Sequence, residues 1–361
     1  MLKIRKNAKV LFILLLFALS TSLHAEVQRG KWGFVPIAAP FYTPDTSWGG
    51  GAFLLAYRDV TIGEDRETDQ LGFASLLTLK GQKTIALSPD MVLSENFRIL
   101  GNFSYSNSNE DFWGIGQEAK ESDLEIFTAE EFLAKVSLLR KLNQDLFIGP
   151  QVLFRSIDII ETEDNGIIDR GGFKGTEGGI ETGFGIRLIY DTTDSTFYPT
   201  KGFLVEGSSL ISSTSAGSDY DYTSFKADVR YYQGITGKHV LAFQSVIELN
   251  TDGVPFQSMS KLGGATIMRG LPEGRFTDEN SLSFQGEYRF PIISFLAGAV
   301  FASTGIVEKD IAELTTFADY HFAGGGGLRF LVNREKHIAI RLDFGLSEDG
   351  LKTYFIFREA F

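Results

Sequence analysis

The feature that most constrains the fold is an alternation of apolar and polar residues, with a period of two, that recurs to the end of the chain. It is clearest at 180–190, 225–231, 282–290 and 338–346. In the third of these segments, Leu282, Phe284, Gly286, Tyr288 and Phe290 alternate with Ser283, Gln285, Glu287 and Arg289. Successive side chains of a β-strand point to opposite faces, so the pattern predicts many strands that are apolar on one face only.

A soluble β-sandwich would show the same alternation, but further observations favour a membrane barrel. The polar faces carry opposite charges two residues apart, as in Glu287 and Arg289 or Arg341 and Asp343, which suits a wet lumen. The apolar faces carry aromatic residues near strand ends, and 13% of the chain is aromatic. Edge-protecting devices of a soluble sheet are not evident. The expected fold is all-β: one transmembrane antiparallel β-barrel without a soluble domain.

The alternating segments predict about sixteen strands, an even number as in bacterial single-chain barrels. The predicted strand starts are 31, 49, 69, 83, 96, 124, 144, 177, 200, 220, 238, 280, 294, 319, 336 and 350. Short turns then alternate with long loops at 106–123, 162–176, 252–279 and 307–318. The charged connection 59–68 breaks this alternation. Residues 129–142 suit a helix by composition, although a weak alternation favours a strand.

The first twenty-five residues have the features of a secretory signal peptide. Lys3, Arg5, Lys6 and Lys9 precede an apolar run from Val10 to Leu19, and cleavage is expected after Ala25. A membrane anchor is the alternative, but the run is shorter than the roughly 20 residues that span a bilayer. The expected division is a signal peptide at 1–25 and an outer-membrane barrel at 26–361.

Charge and composition exclude several functions. The formal net charge is −12, and removal of the signal peptide makes it more negative, which argues against nucleic acid as a partner. The chain has no Cys and four His, so neither a metal nor a cofactor is expected. His239, His321 and His337 have no partner spacing that suggests a nucleophile and base. No catalytic residue is therefore assigned.

Three motifs resemble those of the bacterial surface antigen superfamily, the outer-membrane assembly and translocation barrels. The first is a turn with Asp191, Asp194, Pro199 and Gly202. The second is the loop motif Met268, Arg269, Gly270 and Leu271, followed by Glu287-Tyr288-Arg289-Phe290-Pro291. The third is the ending with Phe355, Phe357 and Phe361. The superfamily prefers Val or Ile at position 268 and an aromatic residue at 271.

The resemblance implies that the 252–279 loop folds into the lumen, where Arg269 reaches an acidic wall. Glu287 lies on the lumen-facing parity of its strand, and it is the expected partner. In the next strand the superfamily has an acid where this chain has Ser303. One of two anionic contacts is therefore expected to be missing. Phe355, Phe357 and Phe361 are expected to form a C-terminal sorting strand.

Insertases and secretion pores of the superfamily carry soluble periplasmic (POTRA) domains that receive client chains. Here only Glu26 to Lys31 separate the predicted signal peptide from the first strand, so a short member without these domains is expected. The first hypothesis is a barrel that helps insert or translocate polypeptide, with lipid as another cargo. The cargo would pass through a weak seam between the first and last strands, near Gly49–Gly51 and Arg358-Glu359. Its expected partners are outer-membrane lipid, an unfolded client and a separate periplasmic protein. The alternative is a passive pore or structural barrel, which Ser303 favours. An outer-membrane hydrolase is a third, weaker hypothesis.

Overall fold

A computed structural model of the chain describes residues 27–62, 65–196, 198–333, 338–357 and 359–361, so the predicted signal peptide lies outside them. Sixteen antiparallel strands form one closed sheet. They are β1 Gly33–Thr43, β2 Ser47–Ile62, β3 Asp65–Thr78, β4 Lys83–Ser94, β5 Phe97–Phe112, β6 Glu125–Lys141, β7 Leu146–Glu161, β8 Gly178–Asp191, β9 Gly202–Ser212, β10 Tyr222–Gly234, β11 Val240–Asn250, β12 Asn280–Ile293, β13 Leu296–Glu308, β14 His321–Asn333, β15 Ile338–Ser347 and β16 Gly350–Phe357.

The predicted barrel and its strand number are confirmed. Each strand pairs with its neighbours in chain order, and β16 pairs with β1 to close the sheet. A short strand, Val27–Arg29, pairs with the end of β2 and continues the line of β1. Among the described residues, helices are limited to short turns, and none has the length and hydrophobicity needed to cross a membrane.

Turn lengths differ between the two ends of the barrel, which we name the long-loop end and the short-turn end. Loops 113–124, 162–177, 251–279 and 309–320 lie at the long-loop end. The predicted connection at 59–68 needs correction. β2 continues to Ile62, β3 begins at Asp65, and Asp59 pairs with Thr68. Asp59, Arg66 and Glu67 lie on paired strands rather than in a loop. The prediction of a strand at 129–142 is confirmed by β6.

The alternation predicts the two faces of the wall correctly. On β12, Ser283, Gln285, Glu287 and Arg289 are buried, while Phe284 is exposed on the outer face. Phe225, Val229, Phe344 and Leu346 are likewise exposed, whereas Asp228 and Asp343 are buried. Apolar side chains thus face outward and polar ones face a filled lumen, which is the inverse of a soluble core.

The lumen is filled by loops rather than by wall side chains alone. At the long-loop end, Phe112, Phe127, Ile168 and Phe256 form a buried cluster with other apolar residues of the loops and adjoining strands. Further in, Leu262, Met268, Leu271, Phe276 and Val307 form a second cluster. Loop 251–279 contributes to both clusters, so it connects the mouth of the barrel with its interior.

Two predicted features near the seam need correction. Gly49–Gly51 lie on β2, where they pair with Phe41, Pro40 and Ala39 of β1, one strand away from the seam. Phe361 was expected to end a sorting strand, but β16 ends at Phe357. Phe361 is buried inside the barrel, where its ring stacks on Tyr232 and its main-chain oxygen accepts a hydrogen bond from Arg289.

Candidate functional site

Loop 251–279 enters the lumen as a small hairpin whose tip carries the predicted motif. Strands Ser260–Leu262 and Phe276–Asp278 pair in antiparallel fashion. Between them, Met268, Arg269 and Leu271 are fully buried. Met268 and Leu271 pack in the same apolar cluster as Leu262 and Phe276. These apolar contacts hold the tip against the wall and explain why residues of this type flank the arginine.

The wall is shaped to accept the backbone of this tip. Gly270 has φ +128°, and its amide donates to the Tyr354 hydroxyl at 3.0 Å. Ser347 Oγ donates to the Gly270 carbonyl at 2.8 Å. A Cβ added to Gly345 would lie 2.4 Å from the Arg269 carbonyl oxygen, which is too close for any side chain. Glycine at 345 therefore allows the loop backbone to lie directly on β15.

Arg269 is held by two carboxylates and one aromatic ring. Its Nη2 lies 2.7 Å from Glu287 Oε2, so the structure brings the two predicted residues together. Its Nη1 donates to Asp343 Oδ2 at 2.8 Å. The guanidinium carbon lies 3.6 Å from the centre of the Phe301 ring. The ring covers the flat face of the guanidinium while the carboxylates meet its edge, which fixes its orientation as well as its charge.

Asp343 corrects the expectation that one anionic contact is missing. Ser303 does stand on β13 where an acid was expected, and its Oγ donates to the Ala323 carbonyl at 3.3 Å. The second carboxylate comes instead from β15, two strands further around the wall. The sequence contains one signal for it, the opposite charges of Arg341 and Asp343 on one polar face.

Three more arginines extend this site into a network that the sequence did not predict. Arg289 Nε donates to Glu287 Oε1 at 2.7 Å, and Arg329 Nη2 donates to Glu287 Oε2 at 3.1 Å. Arg329 and Arg341 both donate to Asp343. Each carboxylate thus meets three guanidiniums, and all of these side chains are buried. Arg329 Nε also lies 3.1 Å from Glu359 Oε2. We name these residues the lumen network: Arg269, Arg289, Arg329, Arg341, Glu287, Asp343 and Glu359.

Comparison with known proteins agrees with this architecture. The Omp85 superfamily domain matches residues 61–349. The chain belongs to the Omp85 superfamily. This barrel fold implies the bacterial outer membrane as its location. No curated protein matches the chain.

Solved structures resemble this Omp85 barrel in fold at low sequence identity. BamA from Haemophilus ducreyi lacking POTRA domains 1–3 matches with a TM-score of 0.63 and 13% identity, over 97% of this chain and 78% of that one. CdiB from Escherichia coli matches at 0.61 and 12%, over 94% and 67%. CdiB from Acinetobacter baumannii matches at 0.56 and 12%, over 93% and 65%. The likeness concerns the fold alone.

The turn motif of the Omp85 barrel lies between β8 and β9, and local geometry accounts for its residues. Asp191 Oδ1 accepts from the amide and hydroxyl of Thr193. Asp194 accepts from the amide and hydroxyl of Thr200. Burial opposes ionisation of Asp194, but these hydrogen bonds outweigh it and lower the pKa of the carboxyl. Gly202 has φ +107°, and Pro199 is buried. The structure therefore assigns these residues to a stable turn.

The described histidines of the Omp85 barrel contact aromatic and acidic groups. His239 Nδ1 lies 2.7 Å from the Tyr288 hydroxyl. His321 stacks on Phe276 and lies 2.6 Å from Glu348 Oε1. No cluster of His, Cys, Asp and Glu suited to a metal ion occurs among the described residues. His337 lies outside the described residues.

Proposed function

We propose that this chain helps to insert or translocate polypeptide at the outer membrane by opening between β16 and β1. The superfamily consists of assembly and transport barrels rather than enzymes, and the proposal assigns the chain no catalysis. A strand of the client would add to the free edge of β1 by main-chain hydrogen bonding, as in other cases of β-augmentation.

The observation that carries the proposal is the weak pairing at the seam. In the described residues, a single residue pair joins β16 to β1, Phe355 with Tyr42. The neighbouring β15 pairs with β16 along its length, from Ile340 with Phe357 to Ser347 with Gly350. Since each antiparallel pair contributes main-chain hydrogen bonds, this seam is the joint of the barrel that separates most easily.

The short-turn half of β1 has a free edge. β16 ends two residues beyond Phe355, whereas β1 extends from Tyr42 back to Gly33 at the short-turn end. From Gly33 to Ala39, β1 is paired with β2, but no strand pairs with its other side in the described part of the chain. Pro36 and Pro40 supply no amide donor, and proline in a sheet is typical of an edge strand. A client strand could therefore begin pairing here.

A periplasmic partner fits this geometry. The free edge of β1 begins at the short-turn end, which is the periplasmic end in outer-membrane barrels. We infer that a separate periplasmic protein delivers the unfolded client there. The passive pore remains the alternative function, and the conductance experiment in the Discussion separates the two.

A disulfide across the seam is expected to abolish insertion. The chain contains no Cys, so Tyr42→Cys with Phe355→Cys introduces the sole pair. When oxidised, this variant should fail to accelerate the folding of an outer-membrane client into lipid vesicles, and reduction should restore the rate. Locking the seam at Tyr42 prevents a client strand that begins at the free edge from extending its pairing along the rest of β1.

The matched control is Phe344→Cys with Thr353→Cys, which joins β15 to β16 at a pair already in register. Its oxidation should leave the rate unchanged. If the oxidised seam variant inserts client as fast as its reduced form, the proposed mechanism is wrong. If neither variant nor the unaltered chain accelerates client folding, the passive pore becomes the better assignment.

We also propose that residues 1–25 are removed as a signal peptide, so that the mature barrel begins at Glu26. The basic residues, the apolar run and the small residues before Ala25 support this division. The intact mass of protein purified from outer membranes should equal that of residues 26–361. A mass that includes Lys3 to Lys9 would mean that the segment is retained as an anchor.

A further inference from the structure

The last described residues, Glu359 to Phe361, form a tail that lies inside the short-turn end of the lumen. Arg329 Nε lies 3.1 Å from Glu359 Oε2, and Arg289 Nη2 donates to the main-chain oxygen of Phe361 at 2.8 Å. Ala360 and Phe361 are buried, together with Tyr232 and Ala242. The tail is therefore bound at each of its three residues, although it lies beyond the end of β16.

The surface that receives the tail has the features of a peptide-binding pocket. The Phe361 ring stacks on Tyr232 with ring centres 6.4 Å apart, and the Arg289 guanidinium carbon lies 5.5 Å from the ring centre. Tyr232, Ala242 and Arg289 are at most 1% exposed. The Tyr232 ring, the small Ala242 and the guanidinium of Arg329, which pairs with Glu359, together select an acid, a small residue and an aromatic residue in sequence.

The charge of the lumen network favours an anion at this place. Among the described residues, the network contains four arginines, and three carboxylates pair with them: Glu287, Asp343 and Glu359. Withdrawal of the tail removes one carboxylate and leaves four cations facing two anions. Arg289 Nη1 already has no hydrogen-bond partner in the described structure. An empty pocket would thus be cationic and poorly hydrated, and such a site binds a replacement carboxylate.

We propose that this pocket is a recognition site for a polypeptide segment with the pattern acid–small–aromatic. The chain's own Glu359, Ala360 and Phe361 occupy it when the barrel is closed, and a segment of another chain occupies it when the tail withdraws. This inference rests on the proposed function, because separation of β16 from β1 is the movement that releases the tail. The client would then be recognised by side-chain contacts in the pocket as well as by main-chain pairing with β1.

A binding measurement tests the pocket without any insertion step. The probe is a fluorescent peptide with the sequence of residues 357–361, amidated at its end. The proteins are the unaltered chain and the variant Glu359→Gln with Phe361→Ala, in which the tail is weakened. The peptide should bind the variant about tenfold more tightly, because the loss of an aromatic contact and an ion pair weakens the competing tail by that order.

Two controls establish specificity. Peptides with Gln for Glu, or Ala for the last Phe, should bind the weakened-tail variant about tenfold less tightly. Adding Tyr232→Leu to that variant should reduce binding of the original peptide to the same degree. Equal binding by the unaltered and variant proteins, or equal binding of all three peptides, would overturn the proposal.

The peptide-binding result can be distinguished from the result of the seam experiment, and it does not depend on the double variant alone. A barrel that binds the peptide as expected but inserts client with an oxidised seam would disprove the proposed function and keep the pocket. If the double variant does not fold, Phe361→Ala alone serves, since Glu359 still pairs with Arg329. Its expected gain in peptide affinity is smaller but has the same sign, and no gain would contradict the proposal.

Discussion

Deletion of residues 255–275 is expected to convert a barrel of low, flickering conductance into one with large, steady currents. The deleted segment carries Phe256 of the outer apolar cluster and Met268 and Leu271 of the inner one. It also carries Arg269, which fixes the loop to the wall. A sixteen-stranded wall encloses an aqueous channel when no loop fills it, so conductance in planar bilayers should rise severalfold.

The matched control is a deletion of residues 311–318, in the loop between β13 and β14. In that loop Leu314 packs against Ile306 and Tyr320, and Phe317 is 82% exposed. None of its residues belongs to the clusters that fill the lumen. Conductance should therefore stay low. Large, steady currents from the intact protein would refute the obstructed lumen and favour the passive pore.

The sequence predicts the barrel well because the wall is determined by local alternation. Each predicted strand start lies within four residues of the observed one, as at 69 for β3, which begins at Asp65, and 238 for β11, which begins at Val240. The alternation within β12 alone predicts that the polar residues from Ser283 to Arg289 face inward, and they are buried. The error at 59–68 arose because charged residues suggested a loop, whereas charges on lumen-facing strands are tolerated.

The lumen network was harder to predict because its residues lie on strands that are far apart in the sequence. Arg269 and Glu287 were paired through the family motif, but Asp343 lies 74 residues away in sequence from Arg269. Which strands face each other across a lumen depends on the stagger of the whole sheet, and alternation within one strand does not contain it. Arg329 and Glu359 were missed for the same reason.

The glycines of β14 are a second case in which contacts between distant strands could not be predicted from the sequence. The run Gly324 to Gly327 gave no functional signal in the sequence, yet a Cβ on Gly325 would lie 2.8 Å from the Phe301 ring. A Cβ on Gly327 would lie 2.0 Å from Asp343 Oδ1. These glycines leave space on β14 for the ring and the carboxylate that hold Arg269. The contacts that require glycine at these positions are formed only in the folded barrel, so the sequence alone does not reveal them.

Substitution of Glu287 is expected to cost more stability than substitution of its partner Arg269. Glu287→Ala deprives Arg269, Arg289 and Arg329 of a shared carboxylate, and a buried charge left uncompensated typically costs about 3–5 kcal/mol. After Arg269→Ala, Glu287 and Asp343 each keep two guanidiniums. That variant loses the contact with Phe301, about 2 kcal/mol when desolvated, and one ion pair at each carboxylate.

The four variants of this pair decide whether the two residues act together. Unfolding in denaturant, measured on the barrel in lipid vesicles, should give a double variant whose loss is smaller than the two single losses added, by roughly 0.5–3 kcal/mol. Arg187→Ala is the control, because its pair with Glu206 is partly exposed and such pairs contribute about 0–1 kcal/mol. Strictly additive losses would show that Arg269 and Glu287 are not coupled. The difference between the two single variants follows from three arginines sharing Glu287. A larger loss of stability from Arg269→Ala than from Glu287→Ala would therefore contradict the excess of cations in the network.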